Sequence, residues 1–326
     1  MQYRKLGKNG PVISVIGFGA WAIGGGNWNY TWGNQEDRLS HNSIRAALDA
    51  GINFFDTAAV YGLGHSEEVI GKALKGDRDK AVIATKFGLV WDEQGNVSRN
   101  GTYASILREV EASLRRLGTD YIDLYQMHWP DTDAKASVEE TIRALEKLLQ
   151  DGKIRYVGVS NFPVALLEEA LKIRHVDSLQ PPYSILAADA EKELLPYSQK
   201  QGIGVIAYSP LASGLLSGNY NADTRFDKQD WRSKSPSHSG EGFKQNIAVV
   251  GQLKEVAADL GITVAQLALA YVLAHPALTS ALVGVRKPEH IQKSLPAVDV
   301  KLDDAVLAKI RTIAASAARI KMPINE

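Results

Sequence analysis

Short apolar runs alternate along the chain with stretches in which apolar residues recur every three or four positions. In TYASILREVEASLRRLG, Ile106, Val110, Leu114 and Leu117 share one helical face. The same spacing predicts helices in SHNSIRAALDAG and HSEEVIGKALKG, closed by Gly51 and Gly76, and in SVEETIRALEKLLQDG, PVALLEEALKIR and AEKELLPYSQKQG. Between and around them, VIGFGA, INFFD, AVIATKFG, DYIDLYQMH, IRYVGVSN, VDSLQPP, IGVIAYSPL and TSALVGV read as eight strands. Several are almost continuously apolar, as parallel strands covered on both faces must be. Eight β units with helices between them in 326 residues predict one α/β domain, a (β/α)8 TIM barrel spanning residues 1–326. A short N-terminal β-hairpin is expected over about residues 1–15, and a helix and tail over about 302–326. Two loops are long, Phe87 to Gly101 and Ser209 to about Gly242. Loops of that length in a compact domain usually serve function.

In such a barrel, catalytic groups gather at the C-terminal ends of the strands. Asp56 ends the second predicted strand, Lys86 the third and His128 the fourth, while Tyr61 lies on the loop after the second. Each has an ordinary structural use: a turn or cap, a rim charge, a structural imidazole, a ring covering apolar surface. Together they suit proton donation near pH 7. A free phenol, with a pKa of about 10, is a poor acid there. A neighbouring ammonium is expected to lower that value, and a carboxylate to keep the ammonium charged and oriented. The imidazole can hold a carbonyl oxygen beside the phenol. No side chain can supply hydride, so carbonyl reduction at this rim needs a cofactor.

Composition narrows the alternatives. Lys plus Arg and Asp plus Glu both number 37, so no net charge draws nucleic acid or an anionic membrane. Cysteine is absent, which excludes disulfides and a Cys nucleophile and fits a reducing compartment. MQYRKLGKNG has no apolar signal core and no apolar run approaches the roughly 18 residues of a membrane span, so a cytoplasmic protein is expected. No H-x-H group stands at a strand end, so no metal is expected. A glycosidase would need a second carboxylate beside Asp56, and none is evident. GFGAWA fits G-x-G-x-x-A, but a dinucleotide-binding turn should open directly into a helix, whereas IGGGNWNYTWGN follows. Its glycines are read instead as sites where loop backbone approaches a ligand or a neighbouring strand.

The segments GINFFDTAAVYG…SEEVIG, ATKFG, IDLYQMHWP, VGVSNF and AYSPLASGLLSG together resemble the aldo-keto reductase superfamily, over nearly the whole chain. The short form and the AWAIGG start are most similar to its bacterial general-stress-type NADPH-dependent reductases. The resemblance implies Tyr61 as proton donor, Lys86 and Asp56 as the pair tuning it, and His128 as the substrate-orienting group. It implies NADP(H), preferred over NAD(H), across the barrel mouth under a covering loop at about 209–242. Ser160, Asn161 and Gln180 would bind a carboxamide, and Tyr208 would stack on nicotinamide. The loop carrying Ser209, Pro210, Leu211, Ser213 and Gly214 would offer N–H groups to a pyrophosphate. Ala20, Trp21 and Asp56 complete that end of the site. After the last strand, Gly284, Arg286, Lys287, His290 and Ser294 are the expected contacts, with the Arg286 guanidinium suited to a 2′-phosphate. Arg232 is a further cofactor clamp. Similar proteins often carry Glu-Asn for adenine where this chain has Lys293 and Ser294.

All six tryptophans, Trp21, Trp28, Trp32, Trp91, Trp129 and Trp231, fall in or near loops at the same predicted rim. Trp21, Trp91 and Trp129 are the expected walls of a substrate pocket. His41, His175 and His275 are expected on helices in structural roles. The tail ARIKMPINE is short, which predicts an open pocket for small or varied carbonyls. The expected partner is a small carbonyl substrate, with no nucleic acid or membrane and with a monomer favoured. The alternative is a nucleotide-binding regulatory subunit of the same fold, like the potassium-channel β subunits, with little turnover.

Overall fold

The computed structural model describes residues 1–26, 28–131, 136–318 and 320. Strands β1 (Tyr3–Lys5) and β2 (Val12–Ser14) form an antiparallel hairpin. Then follow β3 (Ile16–Gly19), β4 (Phe54–Asp56), β5 (Val82–Phe87), β6 (Leu89–Trp91), β7 (Val97–Arg99), β8 (Ile122–Met127), β9 (Ile154–Ser160), β10 (Ser178–Gln180), β11 (Gly204–Ala207) and β12 (Leu278–Gly284). β3, β4, β5, β8, β9, β10, β11 and β12 are parallel and close into an eight-stranded barrel in chain order. The helices are α1 (Asp37–Asp49), α2 (His65–Ala73), α3 (Tyr103–Leu117), α4 (Val138–Gln150), α5 (Val164–Leu171), α6 (Leu194–Gln201), α7 (Gly240–Asp259), α8 (Val264–Ala274), α9 (Pro288–Ser294) and α10 (Asp304–Ala314).

Strand parity builds both layers. In β4, Phe54 points inward and Phe55 outward, so Asp56 faces inward at the top. Leu6 and Ile13 of the N-terminal hairpin pack against the inward Phe54, Ala84, Leu124, Ile206 and Leu282 and close the barrel floor. The outward residues join the larger core beneath the helices, with Phe55, Ile83, Tyr125 and Val157 all buried. Inside the barrel, a Cβ at Gly158 would collide with Ser178 Oγ and Gln126 Cγ, so only glycine fits that layer.

The six predicted helices form, although α6 begins at Leu194 after a turn at Asp189–Glu191. Helices α7, α8 and α9 escaped the periodicity. In α8, VAQLALAYVLA buries eight of its eleven residues, so no polar face marks it. The Phe87 to Gly101 segment is not an open loop but carries the β6–β7 hairpin, turned by Asp92, which accepts the Gln94 and Asn96 N–H groups. Of the three histidines expected on helices only His41 lies in one: α5 ends before His175, and His275 caps α8. The expectation for the tail falls largely on residues 319 and 321–326, outside the described residues. Among the described residues, no single helix is long and apolar enough to cross a membrane.

Candidate active site

The top inward layer of the barrel is polar. Lys86 Nζ donates to Asp56 Oδ1 at 2.5 Å and to the Thr57 carbonyl at 2.8 Å. The other Asp56 oxygen accepts from Gln180 Nε2 at 2.8 Å and Gln126 Nε2 at 3.1 Å. This carboxylate is therefore buried and hydrogen-bonded by one cation and two amides. Gln126 was not anticipated from sequence. Its signal was parity, since it stands two residues before His128 on β8 and shares its face. Asn161 Nδ2 donates to the His128 carbonyl, and its Oδ1 accepts the Tyr208 hydroxyl, so β8, β9 and β11 are cross-linked at the rim.

Tyr61 reaches this layer from a loop held by backbone contact. Gly62 has φ 63°, in the left-handed region, and a Cβ there would overlap the Gly24 carbonyl oxygen. The two loops can therefore touch only through glycine. The result sets the Tyr61 hydroxyl 3.5 Å from Lys86 Nζ and its ring edge-to-face with His128, centroids 5.6 Å apart.

Electrostatics differ from the expectation that Lys86 lowers the Tyr61 pKa. Burial, and then the Asp56 carboxylate, push the phenol well above its ordinary range. Burial lowers the Lys86 ammonium, with Asp56 opposing that shift. Burial, and then Lys86, hold His128 well below the usual imidazole range, so its ring is neutral at pH 7. The pair Asp56–Lys86 is close to self-neutralised, which leaves desolvation to dominate the phenol.

A cavity of about 430 Å³ opens above these groups. Of the four expected catalytic residues, Asp56, Tyr61 and His128 line it, while Lys86 lies buried beneath. Every residue expected to touch a cofactor lines it too, except Lys287, which is exposed at the N-cap of α9. Trp21 and Trp129 line it, but Trp91 does not; it sits on β6 with the Arg116 guanidinium 5.9 Å from its ring centre. Trp28, Trp32, Asn219, Tyr220 and Lys293 are further lining residues. Asn219 and Tyr220 lie in irregular chain and carried no sequence signal.

Two loops meet over this cavity. The Trp231 N–H donates to the Thr31 carbonyl at 3.1 Å, and the Trp231 ring stacks on Trp21 at 5.5 Å. Arg232 is buried, ion-paired to Asp230 at 2.5 Å and hydrogen-bonded to Tyr220 Oη at 2.7 Å. Its guanidinium lies 4.5 Å from the ring centres of both Trp32 and Phe226. Arg286 Nε donates to Gln35 Oε1 at 2.8 Å, Nη1 to the Trp32 carbonyl at 3.1 Å, and Nη2 to the Asn34 carbonyl.

The donor set fits a dinucleotide. Uncharged Ser160, Asn161 and Gln180 lie at one end, and Arg232, Arg286 and Lys293 line the rest. Ser209, Ala212, Ser213 and Gly214 all have positive φ, so this loop holds strained backbone beside the cavity. Ser213 Oγ is buried there without a partner among the described residues, an orphan that a ligand acceptor would satisfy. No group of three or more His, Cys, Asp or Glu among the described residues is arranged to hold a metal ion.

Comparison with known proteins bears on this geometry. The family model described as "Aldo/keto reductase family" matches residues 15–315. The aldo-keto reductase YhdN of Bacillus subtilis is 39% identical over 295 residues, covering 90% of this chain and 87% of its own. The NADH-specific methylglyoxal reductase of Escherichia coli is 35% identical over 326 residues, covering 96% and 98%. The solved glycerol dehydrogenase AKR11B4 from Gluconobacter oxydans superposes with a TM-score of 0.87 at 39% identity, over 98% of this chain and 97% of that one.

Proposed function

The chain belongs to the aldo/keto reductase family, whose members are oxidoreductases that use nicotinamide cofactors on small carbonyl substrates, and on that premise we propose that it reduces aldehydes or ketones to alcohols with NADP(H), Tyr61 donating the proton. The observation that carries this reading is the Tyr61 hydroxyl, 3.5 Å from Lys86 Nζ and beside the neutral His128 ring on the cavity wall.

When bound, the cofactor supplies hydride to the carbonyl carbon. His128, being neutral, holds the carbonyl oxygen by a hydrogen bond without adding charge. Tyr61 keeps its proton in the resting site because its phenol is pushed upward. It gives that proton up only as the substrate oxygen gains negative charge. The Lys86 ammonium then steadies the phenolate, and Asp56 keeps Lys86 in place. Trp21, Trp28 and Trp129 line the cavity and would give a bound carbonyl apolar surface that limits water. Ser160, Asn161 and Gln180 would hold the carboxamide.

Preference for the 2′-phosphorylated cofactor is supported by Arg286 and Lys293 on the cavity wall. One relative is by name NADH-specific, so cofactor choice is the part of the reading to test directly. Oxidation of NADPH and of NADH should be followed with a panel of small aldehydes, ketones and sugars, in the wild type and in Tyr61→Phe. Carbonyl-dependent oxidation faster with NADPH, and lost in Tyr61→Phe, is the expected result. Equal or greater activity with NADH overturns the cofactor preference. Full activity in Tyr61→Phe overturns the mechanism, and cofactor binding with no turnover of any carbonyl favours a regulatory subunit.

A further inference from the structure

Arg286 makes few contacts typical of a free phosphate reader. Its three nitrogens all donate to the loop after β3: Nε to Gln35, Nη1 to Trp32 and Nη2 to Asn34. Gln35 closes the arrangement from both sides, because its Nε2 also donates to the Arg286 carbonyl at 3.0 Å. The same Nε2 lies 3.1 Å from Ser40 Oγ at the start of α1, which anchors the amide. Gln35 and Arg286 thus form a reciprocal pair across 251 positions of chain. The segment so held also carries Trp32, which lines the cavity and stacks beneath Arg232.

We propose that Gln35 is a specificity-determining residue for the cofactor, competing with the 2′-phosphate for the Arg286 guanidinium. The proposal rests on the cofactor reading above. A phosphate engages a guanidinium through two parallel N–H bonds, and the pairs available on Arg286 include Nε or Nη atoms already given to loop acceptors. These bonds use three of the five guanidinium N–H groups, and the single one on Nε goes to Gln35, so a 2′-phosphate that takes the Nε–Nη2 edge displaces Gln35. A cofactor without that phosphate leaves the latch closed. Gln35 thereby lowers discrimination between the two cofactors relative to what Arg286 alone would give. It also ties the adenosine end of the cavity to the loop that bears Trp32.

The test separates the phosphate from the hydride chemistry by using 2′,5′-ADP and 5′-AMP as probes, with binding read by calorimetry. In Gln35→Ala, 2′,5′-ADP should bind about three- to tenfold more tightly, since one hydrogen bond to a charged group no longer competes. Affinity for 5′-AMP should stay within about twofold. In Gln35→Glu, a carboxylate faces Arg286 in the same place, and 2′,5′-ADP should weaken by about tenfold or more while 5′-AMP holds. Circular dichroism melting checks that both variants fold. Weaker 2′,5′-ADP binding in a folded Gln35→Ala overturns the proposal, because Gln35 would then be presenting Arg286 to the phosphate. Unchanged 2′,5′-ADP affinity in a folded Gln35→Ala also overturns it, whereas the carbonyl-dependent oxidation assay judges the reductase reading separately.

Discussion

Lys86 Nζ stands 2.5 Å from Asp56 Oδ1, both side chains buried, while the same ammonium is 3.5 Å from the Tyr61 hydroxyl. The ion pair is the tighter relationship, and it explains why the phenol is not drawn downward. Breaking a buried pair on one side leaves an uncompensated charge and costs about 3–5 kcal/mol. Asp56→Asn should therefore lower the urea midpoint strongly. The double variant Asp56→Asn/Lys86→Met should recover much of that stability and none of the carbonyl reduction. A single variant as stable as the wild type would refute this account of the pair.

Tyr61→Phe removes one hydroxyl and retains the ring that faces His128. Turnover should fall by at least about a hundredfold, the lower range for a general acid. Fluorescence titration should find NADPH affinity nearly unchanged.

Gly62→Ala tests the loop contact that delivers Tyr61. The residue sits at φ 63° with the Gly24 carbonyl against it. A left-handed alanine costs about 1–2 kcal/mol, and the overlap must also push the two loops apart. A small displacement of a catalytic group can cost on the order of a hundredfold in rate. The expected result is a large loss in kcat with a modest loss in Tm. The reverse ranking would mean that Gly62 matters for folding alone.

Glu109 on α3 is pushed up to about 7 by burial, despite accepting from the Gly88 N–H and Ser105 Oγ. A carboxyl raised on folding binds more protons in the native state than in the unfolded one. Stability is therefore present below the unfolded value and lost as pH rises toward the folded one, over about pH 4.5 to 7. The loss is about 3 kcal/mol at most. Glu109→Gln cannot titrate, so its stability relative to wild type should rise across that window. Parallel denaturation curves at pH 5 and pH 8, with a constant difference between the proteins, would contradict the shift.

Period-two and period-three-to-four patterns were enough to mark the barrel strands and six of its helices, because each element buries a face defined by its own repeat. They failed at α8, where burial on nearly all sides erases the polar stripe. They also failed at Phe87 to Gly101, whose hairpin is short. Strand-end position marked Asp56, Lys86 and His128, since barrel topology carries those ends to one rim.

What the chain alone determined was which residue types arrive at that rim. What only the tertiary structure decided was how they share charge. Gln126 and Gln180 reach Asp56 across 70 and 124 positions, contacts set by barrel closure. The phenol moves up through its burial and the nearby Asp56 carboxylate, properties of the packed site that no residue spacing encodes. Arg286 was legible as a cation after the last strand, and it does line the cavity. That it spends its donors on Gln35, Trp32 and Asn34 depends on two loops folding onto each other. Local pattern follows from each element's own periodicity, whereas partner choice follows from which distant elements pack together.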